Sequence, residues 1–213
     1  MSHLFSLKAV RQLYFVLLPC ILIGGIFSSV RANAGILFEP SVGYEYDTFN
    51  ANFSAGSNVA YSVTGPSLGL AVGYSFLIFY ADVDYQYGML NSSVTSQPSG
   101  LSYTGASLIR NSLFIDAGVH IPMLRAYVGY SPLNNWDFKA NSMGSNNVTF
   151  LGSGLKVGAS FTGLPFIAIN LEYMMSTFSS YTDSSNHSMG SSSTYSDASA
   201  KSIMLSVSLP LDL

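Results

Sequence analysis

The chain has 213 residues, of which 48% are hydrophobic and only 9% are charged, and its formal net charge is −3 at pH 7. Average proteins carry roughly 25% charged residues, so this composition suits a chain whose outer surface does not face water. The length allows one domain or two, and the negative balance argues against nucleic acid as a partner.

Residues 1–34 have the pattern of a signal peptide. Lys8 and Arg11 give a positive start, a short apolar core follows, and Ala-Asn-Ala at residues 32–34 fits a small-x-small cleavage site. We therefore predict a signal peptide at 1–34 and one domain at 35–213. An uncleaved membrane anchor is the weaker alternative, because proline and glycine interrupt the apolar core.

Removal of this segment changes the chemistry of the mature chain. Cys20 is the only cysteine and lies within the segment, so the mature domain has neither a disulfide nor thiol chemistry. Lys8, Arg11 and Arg31 leave with it, which takes the formal net charge from −3 to −6.

Eight segments after residue 34 alternate between apolar and polar side chains with period two, which predicts strands with two unlike faces. They cover approximately residues 36–47, 67–74, 77–88, 108–121, 124–130, 150–161, 166–175 and 201–211. No apolar run in this region reaches the roughly 18–20 residues of a membrane helix. We therefore predict an all-β fold, an eight-stranded antiparallel up-and-down transmembrane β-barrel.

The predicted connections alternate in length. Three are tight turns, near Ser75-Phe76, at Pro122-Met123 and at Gly163-Leu164. Four are long and rich in Ser, Asn, Thr and Gly, at approximately residues 48–66, 89–107, 131–149 and 178–200. Short periplasmic turns and long outward loops are typical of bacterial outer-membrane barrels, and this arrangement places both termini in the periplasm.

Aromatic side chains on the apolar face fall into two bands. Such bands are expected where a barrel crosses the two interfaces of a membrane. The predicted girdle residues are Phe38, Tyr74, Phe79 and Phe161 toward the short turns, and Tyr44, Tyr46, Tyr85, Tyr87, Tyr130 and Tyr173 toward the long loops.

The opposite face of the strands carries charged side chains that we expect to point into the lumen. They are Glu39, Glu45, Asp47, Asp82, Asp84, Arg110, Asp116, Arg125, Lys156 and Glu172. The interior of an eight-stranded barrel is just wide enough for side chains to fill, and isolated charges there are costly. We therefore predict a charge network that plugs the lumen; the alternative is a gated, narrow path that conducts ions.

A secreted barrel of the lipocalin type has the same periodicity with the two faces exchanged. Periodicity alone does not decide which face is inside. The polar face is rich in Gly, Ser and Ala with scattered charges, which suits a narrow packed lumen better than a solvated exterior.

The signal peptide, the Gly- and aromatic-rich alternating strands and the turn pattern together resemble the small bacterial outer-membrane β-barrel family. Its members include the transmembrane domain of outer membrane protein A and outer membrane protein X. The resemblance covers nearly all of residues 35–213 and implies a monomer, embedded in outer-membrane lipid and inserted by the barrel-assembly machinery. Family members usually end in an aromatic residue, whereas this chain ends in Leu213.

Some members of that family are lipid-modifying enzymes. His187 lies beside Asp183, Ser184 and Ser185 in the last predicted loop, a group with the residue types of nucleophilic catalysis. In so Ser-rich a segment a solvated loop histidine is the simpler interpretation. No metal-ligand spacing, phosphate loop or dinucleotide fingerprint occurs, so we predict no catalytic residues, no metal and no cofactor.

The single tryptophan, Trp136, lies with Phe138 in the predicted third long loop. Exposed aromatic side chains there are candidates for contact with lipid headgroups or with a partner. The sequence thus favours a structural or surface-interaction protein, with a narrow pore and a lipid-modifying enzyme as the alternatives.

Overall fold

The computed structural model describes residues 35–54, 56, 58–96, 105–139, 147–182, 186–188 and 195–212. The predicted signal peptide and the terminal Leu213 lie outside the described residues. Within them the strands are β1 (Gly35–Phe53), β2 (Asn58–Phe76), β3 (Phe79–Ser96), β4 (Ser107–Ile121), β5 (Leu124–Phe138), β6 (Val148–Leu164), β7 (Ile167–Thr182), β8 (Asn186–Ser188), β9 (Tyr195–Ser208) and β10 (Leu211–Asp212). No helix in this part of the chain is long and apolar enough to span a membrane.

The eight long strands form a closed barrel, as predicted. Each of β1 to β6 pairs antiparallel with the next strand, β7 pairs with β9, and β9 pairs with β1 to complete the circle. Closure gives every long strand a neighbour on both sides. The two short strands lie at the ends of the barrel, where β8 pairs with β7 and β10 continues the closing seam along β1.

The strands are longer than the sequence predicted. Strands β1 and β2 leave only residues 54–57 between them, so most of the predicted loop 48–66 is paired strand. The predictions for the other three long loops are wrong in the same way: residues 89–96, 131–138, 148–149, 178–182 and 195–200 belong to strands.

The short turns also differ slightly from the prediction. The turn at 122–123 lies where it was expected, but β2 continues to Phe76 and β6 continues to Leu164. The turns therefore fall at residues 77–78 and 165–166, where Leu77 and Phe166 adopt positive φ of 57° and 64°. Both side chains are exposed, so this end of the barrel presents an apolar rim.

The lower part of the barrel, next to the short turns, is apolar outside and polar inside. The outward side chains form an apolar band that includes Val42, Leu68, Leu70, Val72, Val83, Ile115, Val128, Leu155, Val157, Leu171, Ile203 and Leu205, all exposed. The soluble alternative required these side chains to fill the interior. The structure places them outside, which is the arrangement of a barrel surrounded by lipid.

Above the apolar band the polarity of the two faces is reversed. We call this upper part the collar; it comprises residues 48–53, 58–64, 90–96, 107–109, 135–138, 148–151, 177–182 and 195–201. On β1 the outward residues after Tyr46 are Thr48, Asn50 and Asn52, whereas Phe49 and Ala51 are fully buried inside. The collar is therefore polar outside and apolar inside, like a soluble barrel.

Irregularities in strand pairing turn several aromatic side chains toward the interior of the barrel in the collar. On β5 the register shifts between Ser131 and Asn134, and the intervening Pro132 and Leu133 both face outward. An extra residue of this kind reverses the in-and-out alternation of the strand beyond it. Trp136 consequently faces the interior. Similar shifts occur on β7, before Tyr181, and on β9, next to Tyr195.

Candidate functional site: a closed lumen

The structure places all ten predicted lumen charges inside the barrel, and every one is buried. Each lies on the inward face of a strand, in a stretch where inward and outward side chains alternate regularly. Eight of the ten take part in ion pairs, which form three groups at successive positions along the lumen.

The first group is a bidentate pair close to the short turns. Arg125 on β5 donates through Nη1 to Glu39 Oε2 at 2.5 Å and through Nη2 to Glu39 Oε1 at 2.6 Å. Ser208 Oγ donates to the same carboxylate. The guanidinium also lies 5.2 Å from the centre of the Tyr80 ring. This pair joins β5 to β1 across the lumen.

The second group surrounds a single ammonium in the middle of the lower barrel. Lys156 Nζ lies 2.6 Å from Asp84 Oδ2, 2.6 Å from Asp116 Oδ2 and 3.8 Å from Glu172 Oε1. Tyr127 donates its hydroxyl to the same oxygen of Glu172 at 2.5 Å. One cation therefore holds carboxylates from three different strands.

The third group lies just below the collar. Arg110 Nη2 is 3.0 Å from Glu45 Oε2 and donates to Gln86 Oε1 at 2.9 Å. Gln86 in turn donates through Nε2 to Asp84 and to Glu172, which links this group to the Lys156 group. Gln86 was not among the predicted site residues, although its inward parity on β3 was visible in the sequence.

Two of the predicted lumen residues, Asp47 and Asp82, form no ion pair within the described part of the chain. The buried charged residues are seven carboxylates and three cations, so the lumen carries an excess of negative charge. Buried charge without a partner is costly. Protonation of some of these carboxylates, or a bound cation, must offset part of this charge.

Small residues on the inward face make room for these groups. A Cβ added at Gly158 would overlap the Tyr127 ring, and one added at Gly129 would overlap Asp116. The glycines therefore allow large polar side chains of neighbouring strands to lie flat against the wall.

Aromatic side chains fill the lumen of the collar. Every long strand contributes to one buried apolar cluster, which we call the aromatic plug: Phe49, Tyr61, Leu90, Leu108, Trp136, Phe138, Phe150, Phe178, Tyr181 and Tyr195, with small residues between them. Phe49 is central, with ring centres 5.6 Å from Trp136, 4.9 Å from Phe138 and 5.0 Å from Phe150. Since all eight strands supply a side chain, the plug spans the cross-section.

The prediction of an exposed contact at Trp136 and Phe138 is wrong. Trp136 is 0% exposed and Phe138 is 1% exposed, because both belong to the aromatic plug. The indole Nε1 donates to Asn134 Oδ1 at 3.2 Å, and Ser112 donates to the same oxygen at 2.7 Å. The sequence did contain a signal for a buried apolar cluster in this part of the barrel. Apolar residues occupy alternate positions at 49 and 51, and again at 59, 61 and 63.

The predicted girdle residues lie on the outer surface. Eight of the ten are exposed, and Phe38 and Tyr87 are half-buried. The upper band lies toward the long connections, as predicted, but the strands continue beyond it. On β1, Tyr46 is the last outward aromatic residue before the polar surface of the collar begins at Thr48. The upper girdle thus coincides with the change of polarity.

The candidate catalytic group around His187 falls largely outside the described residues. Residues 183–185, which include Asp183, lie outside the described residues, so that arrangement stays a prediction. His120 is exposed at the short-turn end, with its Nε2 3.4 Å from Thr162 Oγ1. Across the described ranges, no three His, Cys, Asp or Glu side chains converge as a metal-ligand set.

Known proteins share this fold but little sequence. No family model matches the chain, and no curated protein matches its sequence. The attachment invasion locus protein of Yersinia pestis, solved in complex with the heparin analogue sucrose octasulfate, has a TM-score of 0.53 at 13% identity, over 83% of this chain and 99% of that chain. The outer membrane protein OprG from Pseudomonas aeruginosa has a TM-score of 0.50 at 12% identity, over 84% and 97%.

Neisserial surface protein A is a further neighbour, with a TM-score of 0.46 at 17% identity, over 84% of this chain and 99% of that chain. The Yersinia and Pseudomonas structures establish the architecture: the chain has the fold of the small bacterial outer-membrane β-barrels.

Proposed function

We propose that this chain is a monomeric integral outer-membrane protein with a closed lumen and a structural or surface-interaction role. In this proposal the apolar band contacts lipid, and the short turns and both chain termini face the periplasm. The collar then projects from the outer surface and carries the long connections. The observation that carries the proposal is the reversal of polarity at the upper girdle.

The length of the apolar band supports a membrane position. On β1 the outward residues are apolar from Phe38 to Tyr46, and polar beyond. A tilted strand needs roughly 9–11 residues to cross the hydrocarbon core. Only the lower barrel therefore spans the bilayer, and the collar stands in water, where its polar exterior and apolar interior are the favourable arrangement.

Two successive barriers support a closed lumen. The ion-paired groups fill the lower barrel, and the aromatic plug fills the collar. An ion passing through must break buried ion pairs and then cross a region filled by tightly packed, largely apolar side chains, and both steps are costly. This argues against the narrow-pore alternative.

The positions of the Lys and Arg side chains indicate which kind of partner the outer surface can bind. After residue 34 the sequence contains five Lys and Arg residues, of which Arg110, Arg125 and Lys156 are buried in the lumen. The other two are Lys139, which pairs with Asp137, and Lys201. Such a surface does not suit a sulfated polyanion like the ligand of the Yersinia protein. We infer contacts through the Ser, Thr and Asn groups of the collar and its loops.

The first test is the electrophoretic mobility of the mature protein before and after boiling, combined with membrane fractionation. A folded outer-membrane barrel shifts on boiling and sediments with the outer membrane. A water-soluble monomer without a shift would overturn the membrane assignment.

Conductance in planar bilayers then tests the closed lumen. We expect no steady conductance from the wild-type protein, and reduced stability in Arg110→Gln with Lys201→Gln as an outer-surface control. If Arg110→Gln conducts ions and unfolds at the same urea concentration as wild type, Arg110 lines a gated path and the closed-lumen proposal is wrong.

Loss of binding or adhesion on shortening the long connections would support the surface role.

A further inference from the structure

A small cavity lies in the lower lumen beside the Lys156 group. Its volume is about 30 Å³, and its walls include Asp82, Asp84, Asp116, Asn170 and Glu172. A space of about 10–15 Å³ by this measure holds one water molecule, so the cavity has room for about two occupants of that size. All five residues present oxygen atoms.

Oxygen atoms without hydrogen-bond partners occur on three of these side chains, Asp82, Asp116 and Asn170. Asp82 is 7% exposed and Asn170 is 4% exposed, yet Asp82 Oδ1 and Asn170 Oδ1 have no hydrogen-bond partner. Ser208 sets the orientation of the Asn170 amide: the Ser208 hydroxyl donates its single proton to Glu39, so at 2.9 Å it accepts from Asn170 Nδ2. A buried acceptor without a donor is costly. The cavity therefore lacks a donor or a cation.

The charges around the cavity indicate whether a hydrogen-bond donor such as water or a cation is missing. The positive charge of Arg125 is balanced by Glu39, with which it forms a bidentate pair. Lys156 is shared among three carboxylates, and Asp82 has no cationic partner in the described part of the chain. The walls thus carry more negative than positive charge. A neutral water molecule does not offset this excess, whereas a bound cation or a proton on a carboxylate does.

We propose that this cavity binds a hard divalent cation, Mg²⁺ or Ca²⁺, with Asp82 and Asn170 as protein ligands. Hard cations take carboxylate and amide oxygens as ligands, and Mg²⁺ commonly keeps several waters while one or two carboxylates hold it. No three acidic or His side chains of the described residues converge as a full ligand set. In about 30 Å³ the cation keeps one or two waters, and Asp116 Oδ1, a third wall oxygen without a hydrogen-bond partner, is available as a further ligand.

The cation reaches the cavity from the short-turn end. A second cavity of about 120 Å³ opens there, between Leu37, His120 and Thr162. Tyr80 and Arg125 line both cavities and so form the neck between them. Entry from the opposite end requires passage through the aromatic plug, which spans the lumen.

The experiment measures Mg²⁺ and Ca²⁺ binding to the folded mature protein in detergent, by titration calorimetry, and the unfolding temperature with either cation or with a chelator. We expect one ion per chain and a higher unfolding temperature with the cation. Asp82→Asn should weaken binding at least tenfold. In chelator it should be as stable as wild type or more so, because it no longer buries an unpaired charge.

Asp47→Asn is the matched control, since Asp47 is also buried without an ion pair but lies outside the cavity. It should keep the full response to the cation. A second variant, Asn170→Ser, should reduce affinity while leaving the charge unchanged. The proposal is wrong if wild type shows neither bound ion nor thermal shift, or if Asp82→Asn retains the wild-type affinity; the cavity then holds only water, and protonation offsets the buried charge.

Discussion

The lower barrel and the collar are made from the same eight strands, yet their side-chain chemistry is opposite. In the lower barrel Leu205 faces outward and Met204 and Ser202 line the lumen among buried charges, whereas on the same strand in the collar Ser199 faces outward and Ala200 faces inward. Hydrogen bonding of the backbone is continuous through both. The backbone therefore does not set the polarity of a face. We attribute the difference to the surroundings of each part. Apolar side chains face outward where lipid surrounds the barrel and inward where water does, and the polar side chains take the opposite face.

The two interiors are also stabilised differently. The lower barrel depends on directional ion pairs in a narrow space, where one missing partner leaves a buried charge. The collar depends on packed rings, where a missing side chain leaves a cavity that neighbours partly close. Three substitutions test these two interiors, and a fourth tests the outer surface.

The largest effect is expected for Lys156→Met. It leaves Asp84, Asp116 and Glu172 without their shared cation, and removal of one partner from a buried pair costs about 3–5 kcal/mol. Urea unfolding in lipid vesicles measures the loss. Lys201→Met, on the collar exterior, is the control and should change stability by less than about 0.5 kcal/mol. Equal effects of the two would mean that the lumen is solvated.

A loss of about 3–5 kcal/mol is expected for Phe49→Ala, the range for truncating a buried aromatic residue. We expect a smaller effect than for Lys156→Met, because the neutral rings around it can move into the space. Trp136 stacks on Phe49 and reports the change through its fluorescence. Asn50→Ala, its outward neighbour, should be nearly neutral. Unchanged fluorescence and stability in Phe49→Ala would contradict the plug.

A charge introduced on the outer surface locates the membrane boundary. Leu205→Arg places a cation in the apolar band, where it should cost about 2–4 kcal/mol in a bilayer. Ser199→Arg lies on the same face of β9, but in the collar, and should cost about 0–1 kcal/mol. Similar costs at both positions would place the collar inside the bilayer. The free energy of unfolding in vesicles is the readout.

The smallest effect is expected for Gly158→Ala. The added methyl group displaces the Tyr127 ring and its hydrogen bond to Glu172, and overpacking of this kind costs about 1–3 kcal/mol. Gly154→Ala, on the same face of β6, is the control, since its Cβ would meet no atom closer than 3.4 Å. If the control is as destabilising as Gly158→Ala, the cost reflects strand propensity and not the tyrosine.

The sequence was informative where alternation is regular. From residues 36–47 and their counterparts it determined the strand number, the short turns at 122–123, the inward direction of Glu39 and the outward direction of Tyr46, because a strand exposes alternate side chains on opposite faces. It failed in the collar. There the outward Ser, Thr and Asn residues have the composition of a loop, and the inward apolar residues were too few per strand to stand out.

The position of Trp136 shows what sequence alone did not decide. Its inward direction follows from the extra residue at Pro132 and Leu133, and such a shift appears only when β5 is paired with its neighbours. Likewise, alternation separated two faces but did not say which was inside. Composition determined that this chain forms a barrel with one apolar and one polar face. Only closure of the eight strands decided which side chains meet across the lumen, because ion pairs and ring contacts join residues far apart in the chain.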